Sequence, residues 1–363
     1  MLLTVLADKM AVRSTAKITS KKMAPIILCL SSAACLFIFD IERKPEDREL
    51  KFTAVQMITI CMFIEIKKLT LEGYTEMVTG RGSQIILKNL GMPEVNGKYL
   101  APSIGWISQF RNHEYPKIRL ELEAEFREAV IAMTADDRTI TIDSTPAEAS
   151  RYSKWADFNA HYRIRMAKIH IMMINGIPIY GLVTNGNAGD NPEFLRMLSS
   201  MSNGRMGDNT VVLSDGGYDS HETYADVFLK TGRVMGSNTG KDSVFHKEAE
   251  WRNVVKRYNA LHTVKGFIPS SRATPEFILR FLARNGEKEI VGFFLRNLDM
   301  RRGDRIHRYN AKKRHICETV HHGMKRWVDL DVRGLDSRYV GRRIMFRLMV
   351  CSLLSVFFRP YFG

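Results

Sequence analysis

The chain predicts an α/β domain, a mixed sheet flanked by helices, with an insertion before its last helix and an all-helical N-terminal domain ahead of it. Three observations carry this fold class. Ile169 to Ile174 and Ile177 to Val183 flank Asn175-Gly176, the preferred dipeptide of a type I′ hairpin. Arg138 to Ile142 alternates Thr and Ile as a strand does, and Val211 to Leu213 reads as a short buried strand. Residues from about Met23 to Val130 instead carry apolar side chains at helical spacing, punctuated by Gly and Pro.

In chain order, residues 1–22 form no recognisable element. Ala24 to Phe39 is a mainly apolar stretch of 16 residues after Lys21 and Lys22, with Pro25 and two serines inside it. It falls short of the roughly 20 residues a membrane span needs, so a buried helix is the reading, with a signal segment, a weak anchor or a misassigned start as alternatives. No stable membrane association is expected. Phe52 to Ile66 and Thr70 to Val78 read as helices, Gly91 to Gly97 as a turn, and Pro102 to Phe110 and Pro116 to Thr134 as further helices. Two short helices about such a turn could form a DNA-reading helix-turn-helix within a domain of residues 23–135, or only pack together.

The α/β domain, 136–350, then runs as strand 138–143, strand 167–174, turn 175–176 and strand 177–184. Asp190 and Asn191 before Pro192 mark a helix start leading into Glu193 to Met201. Strand 211–215, helix 221–231 and strand 233–237 follow. The insertion, about 238–305, has a basic first part from Lys247 to Lys265. A second hairpin is expected around Asn285-Gly286, with Glu289 to Leu295 as its returning arm. A helix from about His307 to Lys325 comes next, and 351–363 is a tail.

Composition narrows the function. At 363 residues with 45% apolar content the chain can bury cores in about two domains, and it shows no repeat or low-complexity tract. Of the net charge of +15, nearly all lies between Trp251 and Val350, where 23 Lys and Arg face 9 Asp and Glu. Such a surface suits a polyanion, although basic runs also occur as merely solvated helices. Cys29, Cys35, Cys61, Cys317 and Cys351 include no C-x-x-C pair, so nothing here resembles a dedicated zinc cage, and their sparse use fits a reducing, cytoplasmic compartment.

Three carboxylates carry the chemistry. Asp143 and Asp215 end strand-like runs, where an unpaired carboxylate is costly in a core but well placed for a cation at a sheet rim. Each alone could be a turn residue. Glu318 belongs to the helical stretch, where Arg314, Glu318, His322 and Lys325 share a face by their spacing. Hard cations such as Mg²⁺ take oxygen ligands and complete their shell with water and phosphate oxygens, so this trio predicts a metal-dependent enzyme acting on phosphodiesters. Arg314 and Lys325 are placed to orient phosphates. Arg163, Arg165 and Lys168 are candidate backbone contacts or cover for a sheet edge, and Trp251 is a candidate stacking platform or a packing residue. Asp219 reads as a helix N-cap, and His321 and His322 as contacts to phosphate or solvent.

On these residues the chain resembles DDE transposases of bacterial and archaeal insertion sequences. Arg314-x3-Glu318-x6-Lys325 reproduces that family's Arg, Glu, Lys spacing, Asp215-Gly-Gly-Tyr-Asp-Ser looks like the block around its second aspartate, and Asp143 looks like the first. The resemblance spans about 138–350. It implies an RNase H-like catalytic domain in which Asp143, Asp215 and Glu318 hold two Mg²⁺ ions, with Mn²⁺ able to substitute. It further implies cleavage at terminal inverted repeats, strand transfer into target DNA by a synapsed homodimer, and a cytoplasmic, nucleoid-associated enzyme. The family's Tyr three positions before the Arg is replaced by Ala311, and the nearby Tyr309 lies on another side of a regular helix from Glu318. An RNase H-like nuclease without strand transfer shares the same carboxylates, and a domesticated DNA-binding protein is the non-enzymatic alternative.

Overall fold

In the computed structural model the described residues are 52–133, 139–150, 152–199, 210–237, 247–264, 273–301, 318–325, 328 and 337–358. The apolar stretch 24–39, Tyr309, Ala311, Arg314 and the first part of the expected Glu318 helix lie outside them.

The N-terminal helices begin with α1 (Ala54–Ile66), closed by a capping box in which Thr53 and Gln56 each satisfy the other's backbone N–H. Met57, Ile58 and the run from Ile60 to Ile64 are buried, so α1 is a central helix. Helices α2 (Leu71–Thr79) and α3 (Ser83–Asn89) follow. The expected all-helical domain is then interrupted. The Gly91 to Gly97 turn is a two-stranded hairpin, β1 (Glu94–Val95) with β2 (Lys98–Tyr99). Asn96 and Gly97 both take positive φ, 51° and 74°, as a type I′ turn requires. The next two expected helices are one continuous rod, α4 (Ile104–Gln109) running through a π-helical turn at Phe110–Glu114 into α5 (Tyr115–Met133).

The sheet comprises β3 (Thr139–Glu148), β4 (Phe158–Asn159), β5 (Ile164–Ile174), β6 (Ile177–Asn185), β7 (Val211–Ser214) and β8 (Met235–Ser237). β3, β5 and β6 pair antiparallel, whereas β3, β7 and β8 pair parallel, giving the mixed sheet expected. Asn175 and Gly176 have φ of 51° and 78° and close the β5–β6 hairpin as the sequence demands. β3 is longer than expected and passes through Asp143 rather than ending there. Pro146 is tolerated because β7 has stopped at the level of Ile142, leaving β3 paired there only with β5. Between β6 and β7 lies α6 (Asp190–Ser199), and between β7 and β8 lies α7 (His221–Thr231), capped by Ser220 rather than Asp219.

Alternation along β5 divides the packing into two layers. Ala167, Ile169, Ile171 and Met173 join a core with α1, α5 and the last helix, α12 (Ser337–Phe358). Met172 and Ile174 face a second core built with α6, α7 and the insertion helices. Those helices are α8 (Lys247–Val264), α9 (Pro275–Arg284) and α10 (Lys288–Arg301). They correct the hairpin expected at Asn285-Gly286. Thr274 caps α9 with Pro275 in its first turn, and Ile278, Leu279, Leu282 and Ala283 are buried at helical spacing. Asn285 stays at φ −91° and only Gly286 turns to +90°, the pattern of a helix end. The remaining helical run, α11 (318–325), packs Val320 and Met324 into the first core. Among the described residues no helix is long and apolar enough to cross a membrane.

Candidate active site

Register builds the site. β3 and β7 run parallel with Ile142 opposite Ser214, and Asp215 continues β7 in extended backbone at φ −78° and ψ 165°. Asp143 and Asp215 are therefore abreast on neighbouring strands. Paired positions of parallel strands point to one face, and Ile171, opposite Asp143 on β5, belongs to the first core, so both aspartates lie on the α11 side of the sheet. Glycines at 216 and 217 follow at once as a tight 3₁₀ turn, Gly216–Tyr218, which carries the chain away from the carboxylates.

Helix α11 closes this side. His321 is buried and its Nδ1 is 3.6 Å from Asp143 Oδ2. Burial, with Lys325 one turn further on, brings the His321 imidazole down to about 4, so the ring is neutral at ordinary pH. Glu318 is exposed on the same helix, three positions before His321, and Lys325 is also exposed. Asp143 Oδ1 accepts the Ser144 N–H at 2.8 Å, which fixes the carboxylate's orientation. Among the described residues no three His, Cys, Asp or Glu side chains gather into a group able to hold a metal ion. The structure thus sets the two aspartates side by side with Glu318 on the adjoining helix, and it does not draw Glu318 into one cluster with both.

The opposite face carries a second polar group that the sequence did not single out. Ser144 and His170 are register partners on β3 and β5, turned away from Asp143. His170 is fully buried, with Nε2 2.9 Å from Thr184 Oγ1 and Nδ1 3.4 Å from Asp190 Oδ1. Asp190, in the first turn of α6, also takes Lys168 Nζ at 2.8 Å and 2.9 Å. Burial alone would raise the Asp190 carboxyl, but hydrogen bonds from His170, Lys168 and Ser144 with the Lys168 charge bring it to about 2. Tyr218, whose ring packs edge-on to Phe194, is pushed far above the ordinary phenol range by burial and by Asp190, Asp143 and Asp215. Its hydroxyl therefore stays protonated at ordinary pH. A Cβ on Gly217 would stand 3.4 Å from Asp190 Oδ2, so the turn after Asp215 rests against this carboxylate. The only sequence signal for Asp190 was its place at a helix start.

The other candidates divide. Arg163 is exposed at φ 56°, in the turn entering β5. Arg165 is exposed, with Nη1 donating to the Ala156 carbonyl at 2.7 Å. Lys168 is committed to Asp190. Trp251, on α8, is half-buried with its ring tilted against Phe294 at 5.1 Å, a packing position in the second core.

Comparison with known proteins adds family evidence. The pattern of the transposase DDE domain matches residues 134–353. No curated protein matches the chain. A solved structure described as the piggyBac transposase synaptic complex with hairpin DNA is similar at 9% identity, covering 99% of this chain and 81% of that one with a TM-score of 0.27. At that score the similarity establishes no common fold.

Proposed function

The chain belongs to the transposase DDE domain family, whose members are enzymes of DNA transposition, and from this premise we propose that it cuts the ends of its own insertion sequence and joins them to target DNA. One observation carries the proposal, the parallel register that sets Asp143 beside Asp215 on a single face of the sheet. That placement, with two carboxylates side by side, fits a hard divalent cation that draws its remaining ligands from water and phosphate. Asp143, Asp215 and Glu318 would hold Mg²⁺, or Mn²⁺ in its place. A pair of such ions, when bound, supplies charge neutralisation and nucleophile activation for in-line phosphoryl transfer.

The chain's own groups position the reaction. The Ser144 N–H holds Asp143 in one orientation, and neutral His321 at its side adds no positive charge to compete with a cation. Asp190 rests against the turn after Asp215, and Tyr218 anchors the end of that turn against Phe194. Exposed Lys325, with Arg314 and Arg163, would hold phosphates and set the register of the duplex, work that needs charge and geometry rather than base recognition. The order β6, β5, β3, β7, β8, antiparallel at first and parallel afterwards, supports an RNase H-like reading of the domain. In this reading two protomers act on paired terminal repeats in the cytoplasm, at the nucleoid.

The test is cleavage of labelled element-terminal DNA with Mg²⁺ or Mn²⁺, comparing the intact protein with Asp143→Asn, Asp215→Asn and Glu318→Gln. Nicks at the element end should fall by at least about a hundredfold in each variant, the scale at which a positioned charge contributes to a phosphoryl or acyl transition state. Cleavage that survives Asp143→Asn and Asp215→Asn would overturn the assignment. Cleavage without joined product would make the protein a nuclease, and metal-independent binding without cleavage a DNA-binding protein only.

A further inference from the structure

Between Tyr152 and Arg165 the chain leaves β3 and returns into β5 as a small projection built on β4, and its side chains are unlike the surrounding surface. Tyr152, Phe158 and Tyr162 are 66%, 55% and 49% exposed. Apolar side chains scattered singly over a surface need no explanation, but a group of exposed rings on one short excursion marks an interaction site. Lys154, His161, Arg163 and Arg165 are interleaved with them, and Asp157 is the lone carboxylate in the segment. Phe158 and Arg165 are register partners, so ring and cation are neighbours across the ladder.

The rings are exposed on an ordered support. Asn159 Oδ1 accepts the N–H groups of His161 and Tyr162 at 3.0 Å and 3.1 Å, and its amide donates to the Gly186 carbonyl and to Asn187 Oδ1 at 3.2 Å and 3.3 Å. Asn185 Oδ1 takes the Asp157 N–H at 3.0 Å, and the Arg163 N–H closes onto the Asn159 carbonyl at 2.8 Å. Arg163 adopts the left-handed conformation that a non-glycine residue takes only at some cost. Such a hydrogen-bonded turn presents Tyr162 and Arg163 outward in a fixed arrangement.

Its place in the fold connects it to the candidate active site. The Ala149 N–H, just beyond β3, donates to the Arg165 carbonyl at 2.9 Å. From Asp143 to that level is about six residues of extended chain, roughly 20 Å at ~3.4 Å per residue. Duplex DNA rises ~3.4 Å per base pair, so DNA seated at Asp143 and running along β3 meets the projection about six base pairs away.

We propose that this projection binds unpaired or unstacked nucleotides flanking the site of cleavage, with Phe158 and Tyr162 as stacking platforms and Arg163 on the phosphate backbone. The proposal rests on DNA being the substrate, and it names which form of DNA the chain grips beside its carboxylates. An intact duplex offers phosphates and base edges, whereas exposed rings gain contact only when a base face is available. Rings and arginines also suit a protein interface, but the segment's net positive charge, with Asp157 its lone carboxylate, favours a polyanion.

The experiment is fluorescence anisotropy with the full chain in EDTA, so that no cleavage occurs, using a labelled single-stranded oligonucleotide and the duplex of the same sequence. The double variant Phe158→Ala, Tyr162→Ala should lose about tenfold or more on the single strand and less than about threefold on the duplex, the range of base–aromatic stacking. Phe158→Tyr keeps the ring and should bind like the intact protein, which guards against a variant that simply fails to fold. Arg163→Gln should weaken both DNAs alike and lower the salt dependence by about one phosphate contact. Equal affinity of the double variant and the intact protein for the single strand would overturn the proposal. So would loss of self-association in sedimentation velocity with DNA binding unchanged, which would make the projection a contact between copies of the chain. Neither outcome depends on metal or cleavage, so a failure here is separable from a failure of the transposase reading.

Discussion

Asp190→Asn tests the polar group beneath the aspartates. The substitution keeps the side chain's shape and removes its charge, leaving Lys168 and His170, 18% and 0% exposed, without the carboxylate they face. Burial raises the Asp190 carboxyl, and hydrogen bonds from His170, Lys168 and Ser144 with the Lys168 charge overcome that, holding it at about 2 against an ordinary 3.8. The fall from 3.8 to about 2 corresponds to roughly 2.5 kcal/mol, and the one-fifth exposure of Asp190 reduces this to about 2 kcal/mol. Urea unfolding near pH 7, followed by circular dichroism, should show that loss as a shifted midpoint with an unchanged slope. Because the folded value lies below the unfolded one, the contribution is complete above 3.8 and is lost as pH falls toward 2. The difference between intact and variant protein should be flat from neutral pH down to about pH 5 and should shrink below about pH 4. A difference under about 0.5 kcal/mol at neutral pH, or one that grows on acidification, would refute the reasoning.

Three further outcomes follow from the packing. Glu65 is 3% exposed on α1 and faces Arg111, Arg347 and Arg343 at 3.1 Å, 2.7 Å and 3.7 Å, tying the N-terminal helices to α12. Burial raises its carboxyl, but the three guanidinium groups hold it below its ordinary 4.5. Glu65→Gln removes the buried anion that three guanidinium groups face and should cost about 3–5 kcal/mol, seen as a lowered thermal midpoint. The stability Glu65 confers is present above about pH 4.5 and is lost as pH falls through its depressed value. A Cβ on Gly292 of α10 would run into the His221 carbonyl at the start of α7, so Gly292→Ala should destabilise by about 1–3 kcal/mol or more. Gly341→Ala in α12 meets open space and should instead stabilise by roughly 0.5–1 kcal/mol, which chemical unfolding of the pair distinguishes.

Asn-Gly shows how far local sequence decides structure here. At 96–97 and 175–176 both residues take positive φ and close hairpins. At 285–286 only the glycine does, ending α9. At 185–186 the dipeptide ends β6, where a Cβ on Gly186 would stand 2.7 Å from the Met166 carbonyl oxygen. The dipeptide permits all of these, and the flanking periodicity chooses: alternation around 175–176, and buried Ile278, Leu279, Leu282 and Ala283 at helical spacing before 285. In the insertion, buried side chains at helical spacing override the turn signal of Asn285-Gly286, so a helix end stands where a hairpin is expected.

The candidate site divides the same way. Asp143 and Asp215 were legible because each follows a local strand signal, and the parallel pairing of those strands brings them abreast. Asp190 was not, since its meaning comes from Lys168 and His170 on β5, and nothing near a helix start announces partners across a sheet. Lys168 illustrates the cost of reading a cation without its surroundings. Its basic run suggested a backbone contact, yet its ammonium is bound to Asp190 on the face opposite Asp143. Arg163, in the same run, stands outward because the Asn159 turn projects it clear of the sheet. Two cations of one sequence run are thus placed differently, one paired with Asp190 and one exposed in the turn. What separates them is strand alternation ending at Ile164, where the ladder gives way to the turn.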